Sequence, residues 1–134
     1  MNISGFKRSG HLLRLSLPLF LGAVIFWLSL TSSPPSLPGV LGWDKLLHAG
    51  AYFFLTVSVA QYALVYRLNL WSAGIWAAVI STSFGGLLEI AQLTLQSGRT
   101  AEWWDLIADL VGAIAGCVVF CRAGMFLLPK QGDS

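Results

Sequence analysis

The sequence predicts an all-α membrane protein, a four-transmembrane-helix bundle with both termini in the cytoplasm. Three observations predict it. Of 134 residues, 56% are hydrophobic and 10% charged, whereas a soluble domain carries roughly 25% charged residues. Four apolar stretches approach the ~20 residues that cross ~30 Å of hydrocarbon. The basic residues fall mainly on one side of the arrangement those stretches define. The length suits one domain covering 1–134.

The first span is read at about residues 12–31. Lys7, Arg8 and Arg14 precede its apolar core as in a signal peptide, but the core is long and no A-x-A-like site follows, so a retained helix is expected. Pro18 then falls in the first turns, where a missing N–H matters least. The Ser-Ser-Pro-Pro run at 32–35, followed by Pro38 and Gly39, ends the helix. The second, third and fourth spans are read at about 46–66, 70–95 and 106–128. Lys7, Arg8, Arg14, Arg67, Arg122 and Lys130 share one side, against Lys45 and Arg99 on the other, and the excess of basic residues marks the cytoplasm. Trp43, Trp71, Trp103 and Trp104 lie at span ends, the depth indoles prefer.

On that map Asp44, Glu102 and Asp105 are at the outer side, Glu89 and Asp109 lie in the outer halves of spans, and Asp133 is cytoplasmic. An acid near a helix centre costs about 2.5–3.5 kcal/mol to insert and marks a candidate functional site. Three groups result. Asp44, Lys45, His48 and Tyr52 open the second helix, with Asp44, His48 and Tyr52 four apart and so on one face. Asp44 also suits a helix N-terminus for purely structural reasons. Glu89 and Gln92, three apart, precede the loop carrying Arg99. Asp105 and Asp109 share a face of the fourth helix, which continues into Gly112 and Gly116. Ala108, Gly112 and Gly116 form a small-xxx-small row, and Gly85 and Gly86 of the third helix are expected to serve the same close packing, bringing Asp109 near Glu89. Two carboxylates in a low-dielectric site repel when both are ionised, so a shared proton or a cation such as Lys45 or Arg99 is required. The group reads equally as an acid–base kit or as an ion-pair network locking four short helices.

These motifs together resemble the VanZ-like family of small polytopic membrane proteins, named for a teicoplanin-resistance protein. The matching elements are the run at 32–35, then Asp44, Lys45, His48, Tyr52, Glu89, Gln92, Arg99, Asp105, Gly112 and Gly116, in order and rough spacing. Asp109 departs from the family's usual Asn and adds a charge beside Asp105. The resemblance implies a multi-pass protein of the bacterial plasma (inner) membrane; it implies no mechanism.

Net charge +2, without a basic run interleaved with aromatics, argues against nucleic acid. Cys117 and Cys121, one turn apart in an apolar run, read as packing residues. No cofactor motif, no G-x-S-x-G elbow and no H-E-x-x-H zinc motif is present. Three functions fit. The leading one is a cell-envelope protein of accessory or resistance type, partnered by the bilayer, that binds a lipid, lipid-linked or lipophilic ligand at its outer polar cluster. A membrane enzyme using His48 and the carboxylates for acid–base or metal-assisted chemistry on a lipid is the second. A proton-linked transporter or structural subunit is the third, disfavoured because only Gln61, Ser58, Ser72, Ser81 and Thr82 continue the polar path inward.

Overall fold

Four helices carry the residues described by the computed structural model, which are 3–31, 43–66, 68–95 and 103–127, with side chains for 14–31, 44–65, 68–95 and 103–127. They are α1 (Ile3–Leu30), α2 (Trp43–Ala63) with a 3₁₀ turn at Leu64–Tyr66, α3 (Leu70–Leu95) and α4 (Trp103–Leu127). No strand occurs among the described residues. The protein is therefore all-helical, and α3 and α4 are each long and apolar enough to cross a membrane. At ~1.5 Å per residue they run on the order of 37–39 Å, more than the ~30 Å of a hydrocarbon core.

Helix boundaries follow from local chemistry. Asn69 caps α3: its Oδ1 accepts a hydrogen bond from the Ser72 N–H at 2.8 Å, satisfying one of the donors a helix start leaves open. α3 covers the span read from the sequence, while α2 and α4 each begin three residues earlier, at Trp43 and Trp103. The larger difference is in α1, which begins at Ile3 rather than near residue 12. Pro18 consequently sits mid-helix, where it removes the N–H that the Arg14 carbonyl would otherwise receive. The run at 32–35 and the 96–102 segment, with Arg99 and Glu102, lie outside the described residues.

Close contacts fix how the helices run. Ala49 meets Gly112 and Phe53 meets Gly116, so α2 and α4 are parallel. Gly85 faces Asp109 while Gly74 faces Cys117 and Cys121, so α3 is antiparallel to α4. Ser29 of α1 meets Gln92 of α3, while Pro18 and Gly22 share a cavity with Ile80 and Phe84 further toward the α3 start, so α1 is parallel to α3 and hence antiparallel to α2. Directions thus alternate along the chain. The glycines of α4 set the tightest interface. A Cβ at Gly112 would overlap the Ala49 carbonyl, and one at Gly116 would stand 2.7 Å from the Phe53 oxygen. Such backbone-to-backbone approach is what small residues permit between apolar helices. Gly86 differs from this group, since a Cβ there meets nothing within 4 Å.

The interior is small-residue packing at one end and larger groups at the other. Ala60, Ala73, Ala77, Cys117, Phe120 and Cys121 form one buried cluster. Ile25, Tyr52, Leu55 and Leu88 form the second, nearer the polar end. The outside is apolar on every helix, with Trp27 65%, Phe54 62%, Leu93 66% and Phe126 88% exposed. Large apolar side chains spread over the whole circumference suit lipid rather than water as the solvent.

Candidate functional site

α2 and α4 start at the same end of the molecule, because they are parallel and in close register. Their N-termini present unpaired N–H groups and the positive ends of two helix dipoles, which favour carboxylates there. Asp44 and Asp105 occupy those first turns. The spacing of four on α2 grades exposure with depth: the Asp44 side chain is 55% exposed, His48 16%, and Tyr52 is buried at 2%.

Across the interface Lys45 and His48 of α2 face Asp105 and Asp109 of α4. Lys45 Nζ donates to Asp105 Oδ1 and stands 3.7 Å from Asp44 Oδ2. His48 Nδ1 is 2.8 Å from Asp109 Oδ1, and its Nε2 lies 3.8 Å from Asp105 Oδ2. Both Asp105 and Asp109 are buried. The two acids on one face of α4 therefore have their compensating partners on the facing side of α2, with Lys45 as the cation at Asp105. Charges this buried persist only when paired and hydrogen-bonded.

The second oxygen of Asp109 looks the other way. Asp109 Oδ2 stands 2.7 Å from where a Cβ on Gly85 would be, and the Tyr52 hydroxyl and ring edge stand 3.1 Å from the same point. Gly85 thus makes room for side chains of both α2 and α4, rather than for a helix backbone. Glu89 is one turn further along α3. It lines a cavity of about 540 Å³ whose other walls include Gly86, Leu87, Ile90, Trp103 and Leu106.

Gln92 parts company with Glu89 despite the three-residue spacing. It is buried and donates from Nε2 to the Ser29 carbonyl at 2.7 Å. Ser29 is in the last turn of α1, where carbonyls lack intrahelical donors, so Gln92 caps α1 from α3. Lys45, His48, Asp105 and Asp109 are thus in direct contact, with Tyr52 beside them. Asp44 is at the rim, Glu89 faces the adjoining groove and Gln92 faces α1. Ala108 is half-buried beside Asp109 on α4.

The sequence reading passed over Thr56 and gave Ser81 only as one of the polar residues toward the inner side; the fully buried hydroxyls of both have no hydrogen-bond partner among the described residues. Spacing offered a signal for both: Thr56 follows Tyr52 by one turn and Ser81 precedes Gly85 by one turn. Asp44, His48 and Asp105 each offer one ligand atom within 4.8 Å of one another, the only such group found among the described residues. His48 would ligate through Nε2 while Asp109 holds Nδ1, a common outer-shell arrangement around metals. Lys45, however, already supplies a positive charge to Asp105.

Compared with protein-family models, with curated proteins and with solved structures, the chain matches none.

Proposed function

We propose that the protein is a multi-pass plasma-membrane protein of the bacterial cell envelope, VanZ-like in its motifs. All four helices cross the bilayer with both termini cytoplasmic. At its outer face it binds a lipid, lipid-linked or lipophilic ligand, in an accessory or resistance-type role. The observation that carries the ligand reading is the groove between α3 and α4: about 540 Å³, apolar-walled, holding Glu89, and open beside the paired network of α2 and α4. Pockets with apolar walls and a few placed polar groups are the usual form of ligand sites. Alternating helix directions and the six-to-two division of basic residues support the orientation.

Orientation is tested with single cysteines at Ser97 and Ser134 in a background where Cys117 and Cys121 are serine. A membrane-impermeant maleimide added to intact cells should label position 97 alone. Labelling of position 134 alone reverses the assignment. Ligand binding is tested by native mass spectrometry of protein released from gentle detergent. A retained lipid species that disappears in Gly86→Leu supports the groove, and identical spectra for both proteins remove it.

A second reading, an enzyme, is favoured by one contact. Asp109 holds His48 Nδ1 at 2.8 Å, as an orienting carboxylate holds a general base. Incubation with labelled membrane lipids should then release a product that both His48→Gln and Asp109→Val abolish. Equal lipid profiles with and without protein would dispose of this reading.

A further inference from the structure

Away from the ion pairs, α2, α3 and α4 advance together in layers of about one turn. Tyr52 of α2 and Asp109 of α4 meet at Gly85 of α3. Further along, Ala60, Ala77 and Cys117 of the same three helices pack in one buried cluster. On each helix the members of these two layers are eight residues apart, about two turns. α3 runs against α2 and α4, so its numbers fall as theirs rise. The layer midway between is therefore Thr56, Ser81 and Ala113, each four residues from the layers on either side. All three residues are at 0% exposure. Thr56 also borders α4, where its Cβ stands 3.2 Å from the place of a Cβ on Gly116.

This middle layer is polar, whereas the layer beyond it is alanine and cysteine. Thr56 Oγ1 and Ser81 Oγ have no hydrogen-bond partner among the described residues, neither each other nor the backbone. Leaving a buried hydroxyl unmatched is costly, and protein interiors match such groups through other protein atoms or ordered water. Here two hydroxyls on facing helices stand at one level, with the small Ala113 as the third wall. Space adjoins them: Ser81 is also in the wall of a cavity of about 300 Å³ between α1, α2 and α3. A water between the two hydroxyls can donate to one and accept from the other, and buried waters make about 2–4 such bonds. Two hydroxyls and an alanine are too few oxygens for a hard cation, which takes about six.

We infer that Thr56 and Ser81 hold one buried water between α2 and α3, which carries the polar column of His48, Asp109 and Tyr52 one turn deeper into the bundle. Ala60, Ala77 and Cys117 close the site on the far side, so the column stops at a hydrated layer within the bundle. Neither Thr56 nor Ser81 lines the groove between α3 and α4, and the water is independent of any ligand there.

The test uses the full chain and three variants: Thr56→Val, Ser81→Ala and the double mutant. The first readout is the unfolding equilibrium in sodium dodecyl sulfate mixed micelles. Each single change strips the water of one partner and strands the other hydroxyl, and should shift the equilibrium toward unfolding by about 10-fold. The double mutant has no hydroxyl left to strand, so its shift should stay near or below that of one single variant, far from the ~100-fold of independent sites. Shifts that multiply, or single variants more stable than wild type, mean that the hydroxyls act separately and overturn the proposal. The second readout is magic-angle-spinning NMR of isotope-labelled protein in bilayers, with magnetisation transferred from water. Transfer should reach Cβ of Thr56 and Ser81 ahead of Cβ of Ala60 and Ala77, and be lost at Thr56 in Ser81→Ala. The wild-type comparison decides the matter even where a variant fails to fold. Coupled shifts without water transfer would mean that the two hydroxyls bind each other directly, and would overturn the water. An unfolding midpoint raised by sodium but not by potassium would overturn it in favour of a cation.

Discussion

Replacing Gly112 by alanine adds one methyl group at the tightest point between α2 and α4. Its carbon would stand 2.7 Å from the Ala49 carbonyl carbon and 2.8 Å from the Ala49 Cα. Ordinary carbon contacts are ~3.5–4.0 Å, so α2 must retreat by about 1 Å. The obstacle is backbone, which cannot rotate aside as a side chain does. His48 is next to Ala49, and its bond to Asp109 measures 2.8 Å. A shift of about 1 Å takes it past the ~3.5 Å at which a side-chain hydrogen bond ends. Overpacking costs about 1–3 kcal/mol. Breaking a buried charged pair costs about 3–5 kcal/mol in full, less here because the partners remain close. The better helix propensity of alanine returns up to ~1 kcal/mol. The net loss is on the order of 3 kcal/mol. Unfolding in sodium dodecyl sulfate mixed micelles, followed by circular dichroism, measures it. Gly86→Ala is the matched control, with open space at its Cβ and an expected gain of up to ~1 kcal/mol. Equal stability of the two variants would refute the reasoning that α2 and α4 meet backbone to backbone at Ala49.

Three further outcomes follow from the same geometry. Lys45→Met leaves the buried Asp105 carboxylate without its ammonium partner; with Lys45 itself 32% exposed, a loss of about 2–3 kcal/mol is expected in the same unfolding assay, restored in large part by Asp105→Asn in the double mutant. Asp109→Asn keeps a carbonyl oxygen for His48 and should stay within ~1 kcal/mol of wild type, whereas Asp109→Val, which leaves His48 facing an apolar group, should lose about 3 kcal/mol; equal effects would show that the His48 contact is unimportant. Gln92→Leu deprives the Ser29 carbonyl of its donor and should cost about 1–3 kcal/mol, read most directly as faster amide exchange in the last turn of α1 than in α2.

Much of this was legible in the sequence because periodicity carries it. The run over 70–95 predicted α3 to the residue. The four-residue spacing of Asp44, His48 and Tyr52 placed them on one face, and the contacts of His48 and Tyr52 bear this out. Asp105 and Asp109 likewise turn together toward α2. What spacing does not give is the direction of a face relative to its neighbours. Glu89 and Gln92 are adjacent on α3, yet they straddle an edge, one toward α4 and one toward α1. Gly85 and Gly86 differ by a single residue, about 100° around the helix, and so one meets Asp109 and Tyr52 while the other opens a groove. Helix α1 extends before the span read at about 12–31 because its first turns contain Lys7, Arg8 and Ser9, which an apolarity criterion rejects although a helix tolerates them. The Asn69 cap was readable, being an Asn directly before an apolar run.

The capping of α1 by Gln92 bears on the order of assembly. α1 is made first, and its Ser29 carbonyl needs a donor that arrives only with α3. Until then that carbonyl is left to water or a neighbouring hydroxyl. The contact therefore joins two helices far apart in the sequence, and the last turn of α1 gains its partner only once α3 lies beside it.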